Sequence, residues 1–161
     1  MNGSPFTVYL SLGTNLGDKE QNLRTAVQKI EERIGKVVSL SAFYATAPWG
    51  FQSENSFLNA AVAVVTSLSP QEILSETQQI ERELGRTHKS ANGCYSDRLI
   101  DIDLLLYEDW IVAQENLVIP HPLMTVRRFV MEPLAEIAPD VLHPVLRKTI
   151  KELLKDVEEL P

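Results

Sequence analysis

Apolar residues recur at every second position in some stretches of this chain and at every third or fourth in others, and the order of these two periods constrains its fold more than any other feature. Val8, Leu10 and Leu12 alternate with Thr7, Tyr9 and Ser11, which predicts a strand with one core face. Gly13-Thr14-Asn15-Leu16-Gly17 then turns the chain. Asp18 opens a helix with Gln21 as its capping-box partner, and Leu23, Ala26, Val27, Ile30 and Ile34 share one face until Gly35 stops it. A second strand is expected over 37–45. A third follows where Leu58, Ala60, Val62 and Val64 alternate with Asn59, Ala61 and Ala63. Ser69-Pro70-Gln71-Glu72 starts the next helix with a capping Ser, a first-turn Pro and a reciprocal Glu, and its apolar face is Ile73, Leu74, Thr77, Ile80 and Leu84 up to Gly85. After a long polar loop come a strand over 99–107, a short strand near 110–112, a helical stretch over about 124–131, and a last helix capped by Thr149 and Glu152. This βαββαβ order followed by helices predicts an α+β domain of the ferredoxin-like kind with a mainly antiparallel sheet; a doubly wound parallel sheet is the alternative.

Composition narrows what such a domain does. With 161 residues, 44% of them apolar, the chain is expected to form one domain over 1–161, residues 1–5 being a short tail. The single Cys94 cannot form an internal disulfide, which fits a reducing cytoplasm. No apolar run approaches the roughly 20 residues that span a bilayer. A net charge of −7 counts against a nucleic-acid partner held by the overall field and leaves any phosphate site to local residues. No P-loop, Gly-x-Gly-x-x-Gly, Gly-x-Ser-x-Gly or zinc spacing is present, which excludes P-loop and Rossmann nucleotide binding.

The segment Asp97-Arg98-Leu99-Ile100-Asp101-Ile102-Asp103-Leu104 sets two carboxylates inside an otherwise apolar strand. Residues two apart share a face, so Asp101 and Asp103 project together, roughly 6.5 to 7 Å apart at Cα. Adjacent like charges need a cationic partner, and a hard divalent ion bridging to phosphate suits them; a solvated edge strand with incidental acids is the other reading. Arg86, Lys89 and Arg98 lie in or beside the loop leading into this strand, and Arg127 and Arg128 follow later. Gln78 and Glu81 share a helix face distinct from the apolar stripe, suited to an adenine edge or simply to solvent. His121 is held between Pro120 and Pro122. Thr46-Ala47-Pro48-Trp49, Phe57, Asn59 and Phe129 offer flat surfaces and an amide for a planar heterocycle, and Asn59 within an apolar strand needs hydrogen-bond partners.

In order and spacing these segments resemble the 6-hydroxymethyl-7,8-dihydropterin pyrophosphokinase family. The resemblance is carried by Gly13-Thr14-Asn15-Leu16-Gly17, Phe43-Tyr44-Ala45-Thr46-Ala47-Pro48-Trp49-Gly50, Phe57-Leu58-Asn59-Ala60-Ala61, Ile80-Glu81 through Arg86, Arg98 with Asp101-Ile102-Asp103, Pro120-His121-Pro122 and Arg127-Arg128-Phe129-Val130. It implies a three-layer α-β-α fold related to the ferredoxin-like one, and transfer of diphosphate from ATP to a pterin alcohol with release of AMP in folate biosynthesis. It further implies Asp101 and Asp103 as ligands of two Mg²⁺ ions and Arg86 and Arg98 as catalytic arginines. Gln78, Glu81, Arg86, His88, Arg98, Leu104, His121 and Arg127 fall at ATP positions, and Thr46, Ala47, Trp49, Phe57, Asn59 and Phe129 at pterin positions.

The chain departs from the family pattern at Cys94-Tyr95-Ser96-Asp97-Arg98, where many members carry Arg-Trp-Gly-Pro-Arg, and at His88, where an arginine is common. Tyr95 is the candidate replacement for the tryptophan as a stacking cover, on a loop expected to close over both substrates. Two other functions compete. One is a non-catalytic ferredoxin-like module that binds a small molecule; the other is a kinase that transfers only the γ-phosphate and yields ADP.

Overall fold

The computed structural model describes residues 5–46, 57–85 and 100–158. In chain order the elements are β1 (Phe6–Thr14), α1 (Lys19–Arg33), β2 (Lys36–Leu40), β3 (Tyr44–Thr46), β4 (Phe57–Thr66), α2 (Pro70–Gly85), β5 (Asp101–Tyr107), β6 (Val112–Gln114), β7 (Leu117–Ile119), α3 (Arg128–Ile137) and α4 (Ile150–Glu158), with a 3₁₀ turn over Met124–Val126 before α3. The main sheet runs β2-β4-β1-β5, and β3 continues along the β2 edge of β4; every neighbouring pair is antiparallel. This is the ferredoxin-like α+β arrangement that the order of periods predicts. The parallel alternative is overturned.

Alternation along β1 sorts the two cores. Val8, Leu10 and Leu12 face α1 and α2, where they meet Leu23, Ile30, Ile73 and Ile80, all fully buried. The opposite face, with Ala61, Leu105 and Leu106, is covered by Val130, Met131 and Leu134 of α3 and by Ile150 and Leu153 of α4. A bulge in β5 makes this possible. Leu10 pairs with Leu104 and Tyr9 with Leu106, so Leu105 is the extra residue and two consecutive leucines enter the α3 core.

The helix starts are those the sequence encodes. Asp18 Oδ1 accepts from Gln21 N–H at 3.1 Å. Ser69 and Glu72 form a reciprocal capping box (Glu72 N–H to Ser69 Oγ, 3.2 Å; Ser69 N–H to Glu72 Oε1, 2.8 Å), and Thr149 and Glu152 repeat it (3.2 and 2.8 Å). Three expectations are corrected. The strand expected over 37–45 is two strands, because the chain leaves the ladder at Ser41. The hairpin partner β7 joins a short strand that lies at Val112–Gln114 rather than at 110–112. The helix expected to end near Met131 starts at Arg128 and runs to Ile137, carrying Pro133 inside it.

An ion cluster fixes α1 to α2. Glu83 accepts from Arg33 through both guanidinium nitrogens (2.8 and 2.6 Å) and from Lys29 Nζ (3.1 Å). The Arg33 bonds, followed by the Lys29 bond, pull the Glu83 carboxyl from 4.5 down to about 2. The folded state therefore binds fewer protons here than the unfolded chain, so this contribution is full above pH 4.5 and is lost as pH falls toward 2. Glu83→Gln is expected to lower stability at neutral pH and to flatten the decline across that acid window, read by chemical denaturation at several pH values.

Candidate active site

One end of the sheet gathers the polar residues, and strand register explains how. Gly13 of β1 lies opposite both Asn59 of β4 and Asp101 of β5, and Tyr44 of β3 lies opposite Asn59. Two residues down, Ser11 pairs with Ala61 and Asp103. Paired residues share a face, and Ala61 packs under α3. Tyr44, Asn59, Asp101 and Asp103 therefore all project from the α3 side of the sheet. Thr46 and Phe57, paired one step beyond Asn59 on that same side, extend the row toward the edge.

Gly13 makes room in the middle of this row. A Cβ there would stand 3.1 Å from Asn59 Oδ1, closer than most such contacts. The Asn59 amide thus lies over the glycine, and its Nδ2 donates to Thr46 Oγ1 at 3.0 Å. Asn59 is 2% exposed, so this bond answers the desolvation cost that its position in an apolar strand raises. Asp101 and Asp103 are half-buried and both engage other groups.

His121 and Arg127 enter from the chain that crosses this end after β7. The Ile119-Pro120 bond is cis. His121 N–H donates to Leu105 O at 3.0 Å, which ties the histidine to the bulge of β5. Its Nδ1 accepts from Leu123 N–H at 3.2 Å, so the neutral ring carries its proton on Nε2. Burial lowers the imidazole below its ordinary value; the Asp103 carboxylate opposes this, Arg127 adds to it, and Asp101 opposes it more weakly. The two acids and Arg127 are therefore within electrostatic reach of the ring. Arg127 is the N-cap residue of α3, and its guanidinium sits 5.8 Å from the ring centre of Phe129, a large aromatic left 40% exposed.

Glu81 approaches from the other side of β5. Its Oε2 accepts from Ile102 N–H at 2.7 Å, so a half-buried carboxylate of α2 occupies the outer edge of the strand between the two aspartates. Gln78 is exposed on the preceding turn. The Leu104 side chain packs in the α1/α2 core, away from the face that carries Asp101 and Asp103. Antiparallel alternation nonetheless turns its peptide groups to the same outer edge as those of Ile102. Ala47, Trp49, Arg86, His88 and Arg98 lie outside the described residues, as do Cys94 and Tyr95.

Sequence reasoning missed Glu136. Its carboxylate accepts from the Tyr44 hydroxyl at 2.7 Å and from Ala42 N–H at 3.1 and 3.2 Å, joining α3 to β3. The hydroxyl's bond to Glu136, with burial and the nearby Glu136 and Glu132 charges, pushes the Tyr44 phenol up to about 12. Phe129, Glu132 and Glu136 stand at i, i+3 and i+7, one stripe of α3. That spacing was readable only if the helix is continued through Pro133.

A ferredoxin-like α+β sheet that collects acids, an amide, an imidazole and a guanidinium at one end has the make-up of a small-molecule transferase. Residues 9–139 match the family model described as 7,8-dihydro-6-hydroxymethylpterin-pyrophosphokinase. A 2-amino-4-hydroxy-6-hydroxymethyldihydropteridine pyrophosphokinase of Porphyromonas gingivalis is 53% identical over 138 residues, covering 85% of this chain and 93% of that protein. The protein of the same name from Aquifex aeolicus is 41% identical over 146 residues, covering 91% and 89%. Among solved structures, wild-type Plasmodium falciparum HPPK-DHPS superposes with a TM-score of 0.77 at 18% identity, over 96% of this chain and 45% of that longer one. The chain belongs to the 7,8-dihydro-6-hydroxymethylpterin-pyrophosphokinase family, and it is a pyrophosphokinase of folate biosynthesis.

Proposed function

We propose that the protein transfers the diphosphoryl group of ATP to the hydroxymethyl oxygen of 6-hydroxymethyl-7,8-dihydropterin and releases AMP, with two Mg²⁺ ions held by Asp101 and Asp103. The observation that carries this reading is the shared row of Asn59, Gly13 and Asp101, which sets a recognition amide and a metal-type carboxylate one strand apart on either side of a glycine. Among the described residues no third carboxylate or imidazole completes a cage around the acid pair. Mg²⁺ does not need one, because it takes one or two carboxylates and fills its remaining positions with phosphate oxygens and water. When bound, the ions neutralise phosphate charge and polarise the attacking oxygen.

The chain's own part is orientation and charge. Asn59, fixed by Thr46, presents its amide to the edge of a pterin, and Phe57 and Phe129 offer ring faces. The Nε2–H of His121 donates to a phosphate oxygen and Arg127 adds a positive charge beside it. Glu81 and the outer edge of β5 near Leu104, with Gln78, receive the adenine. Arg86 and Arg98 supply further guanidinium charge to the transferring group, and His88, Ala47 and Trp49 complete the two substrate sites. The hydroxymethyl oxygen attacks the β-phosphorus as the bond to the α–β bridging oxygen breaks, with no covalent enzyme intermediate. The residues 1–161 act as one domain in the cytoplasm on small-molecule substrates, without nucleic acid; no helix among the described residues is long and apolar enough to cross a membrane.

The test is chromatographic analysis of nucleotide products with ATP, Mg²⁺ and 6-hydroxymethyl-7,8-dihydropterin, with controls lacking pterin or metal. AMP that depends on both is the expected result. ADP would replace diphosphoryl by γ-phosphoryl transfer, and absence of any product would leave a binding module.

A further inference from the structure

Three residues separate β2 from β3; Ser41 keeps one backbone bond to β4, and side chains make the other contacts. Ser41 N–H donates to Ala61 O at 2.9 Å, while Ser41 Oγ accepts from Ala61 N–H at 2.9 Å and donates to Ala42 O at 2.7 Å. The next amide, Ala42 N–H, goes to α3 instead of a strand, where both oxygens of Glu136 receive it. Two residues on, the Tyr44 hydroxyl donates to the same carboxylate. One exposed side chain thus collects charge-assisted bonds from two residues of the segment that rejoins β4 opposite Asn59.

This carboxylate stands seven residues after Phe129, about 10 Å along one stripe of α3. The stripe has the clamp at one end and the aromatic ring at the other. β3 runs from Tyr44, under the clamp, to Thr46, the partner of Asn59. Glu136 itself is exposed and belongs to neither apolar core, and α3 is held down independently by Val130, Met131 and Leu134. Loss of the carboxylate leaves α3 packed but free to shift relative to β3. Substrate slots are sensitive to such shifts, since a displacement of about 1 Å can cost on the order of a hundredfold.

We propose that Glu136, acting through Ala42 and Tyr44, is a positioning residue that sets the separation between β3 and α3, and with it the fit of the flat bicyclic substrate between the Thr46–Asn59 pair and Phe129. This inference rests on the pterin site proposed above and adds to it a residue that touches neither substrate. It assigns the larger effect to the pterin, because the acid pair, His121 and Glu81 are anchored through β5, and of the ATP-side residues named above only Arg127, at the start of α3, borders an element that the clamp touches.

The experiment compares steady-state kinetics of the full chain with Glu136→Ala, Glu136→Gln and Tyr44→Phe, varying pterin and ATP separately. Glu136→Ala is expected to raise KM for the dihydropterin about tenfold, with KM for ATP and kcat within about twofold of wild type. Glu136→Gln, which keeps an acceptor for the Tyr44 hydroxyl and Ala42 N–H, should recover most of that loss. Tyr44→Phe keeps the ring and removes a single bond, so it should give about a threefold rise and decides the matter if Glu136→Ala does not fold. Unchanged pterin KM in the folded variants, or equal rises for both substrates, would overturn the inference while leaving the wild-type reaction standing. A wild-type chain that forms no AMP would remove the site reading and the inference with it.

Discussion

Asp103→Asn is expected to lower AMP formation by about a thousandfold or more while the protein stays folded. The substitution keeps the side chain's shape, removes the charge and turns one of the two acceptor oxygens into an NH₂ donor. Asp103 sits opposite Ser11 at the half-buried end of β5, outside both apolar cores, so no packing is lost. It also stands beside a like charge on Asp101, and neutralising one of two neighbouring carboxylates relieves their repulsion in the absence of a cation. The melting temperature should therefore stay within about a few degrees of wild type. Asp101→Asn should behave the same way, and the double variant should lose little beyond either single one, because residues that hold one charge cluster act as a unit. Initial rates with saturating ATP and Mg²⁺, alongside calorimetry, check this. Turnover within tenfold of wild type in a folded Asp103→Asn would remove the acid pair from the chemistry.

The sheet was legible because the local signals agree with one another. Alternation in β1, β4 and β5 matches burial on two different faces, and three helix starts carry capping residues whose bonds form as the spacing requires. The readings that failed did so where tertiary contacts replaced local ones. Nothing in Val37 to Ala45 marks a break at Ser41, since the break is held by a serine hydroxyl bonding Ala61 twenty residues away. The bulge at Leu105 was equally hidden, because Leu104-Leu105-Leu106 reads as one apolar run until two cores claim it. Pro133 argues for stopping a helix, yet α3 carries it in a buried position and continues to Ile137.

Legibility of the site followed the same division. The acid pair was readable from spacing alone, since strand alternation puts Asp101 and Asp103 on one face whatever surrounds them. Asn59 was identifiable as a polar group in an apolar strand, but its meeting with Gly13 and Asp101 needed the register of three strands. Gly13 itself reads as a simple turn residue in sequence; its role as clearance for the Asn59 amide appears only across the β1–β4 pair. Glu81 looked as suited to solvent as to ligand, and the structure gives it a third role on the Ile102 amide. Glu136 carried no sequence signal because its partners, Ala42 and Tyr44, lie more than ninety residues earlier.

The other large effect expected is on stability, at the opposite end of the same sheet. A Cβ at Gly35 would lie 2.2 Å from Val65 O, 2.9 Å from Val65 C and 3.0 Å from Thr66 Cα, all backbone atoms of β4. Neither side of this contact can yield cheaply. Gly35 N–H donates to Ile30 O at 3.2 Å, Thr66 Oγ1 donates to Ile34 O at 2.5 Å, and Lys36 pairs with Val65 in the next step of the ladder. Room for one methyl group must come from prying β2 away from β4 or unwinding the end of α1, and overpacking against a fixed backbone costs about 3 kcal/mol or more. Gly35→Ala should accordingly shift the urea midpoint well below that of wild type. Gly85→Ala is the control: nothing among the described residues comes within 4 Å of its Cβ, so its stability should hold or rise by up to about 1 kcal/mol, with no fall in the midpoint. Six residues of β4, about 20 Å of strand, separate Val65 from Asn59. The folded fraction of Gly35→Ala should therefore retain wild-type KM values for both substrates. A change in pterin KM there would mean that the two ends of β4 are mechanically coupled, and a wild-type midpoint would mean that the α1–β2 turn yields where its backbone bonds say it should not.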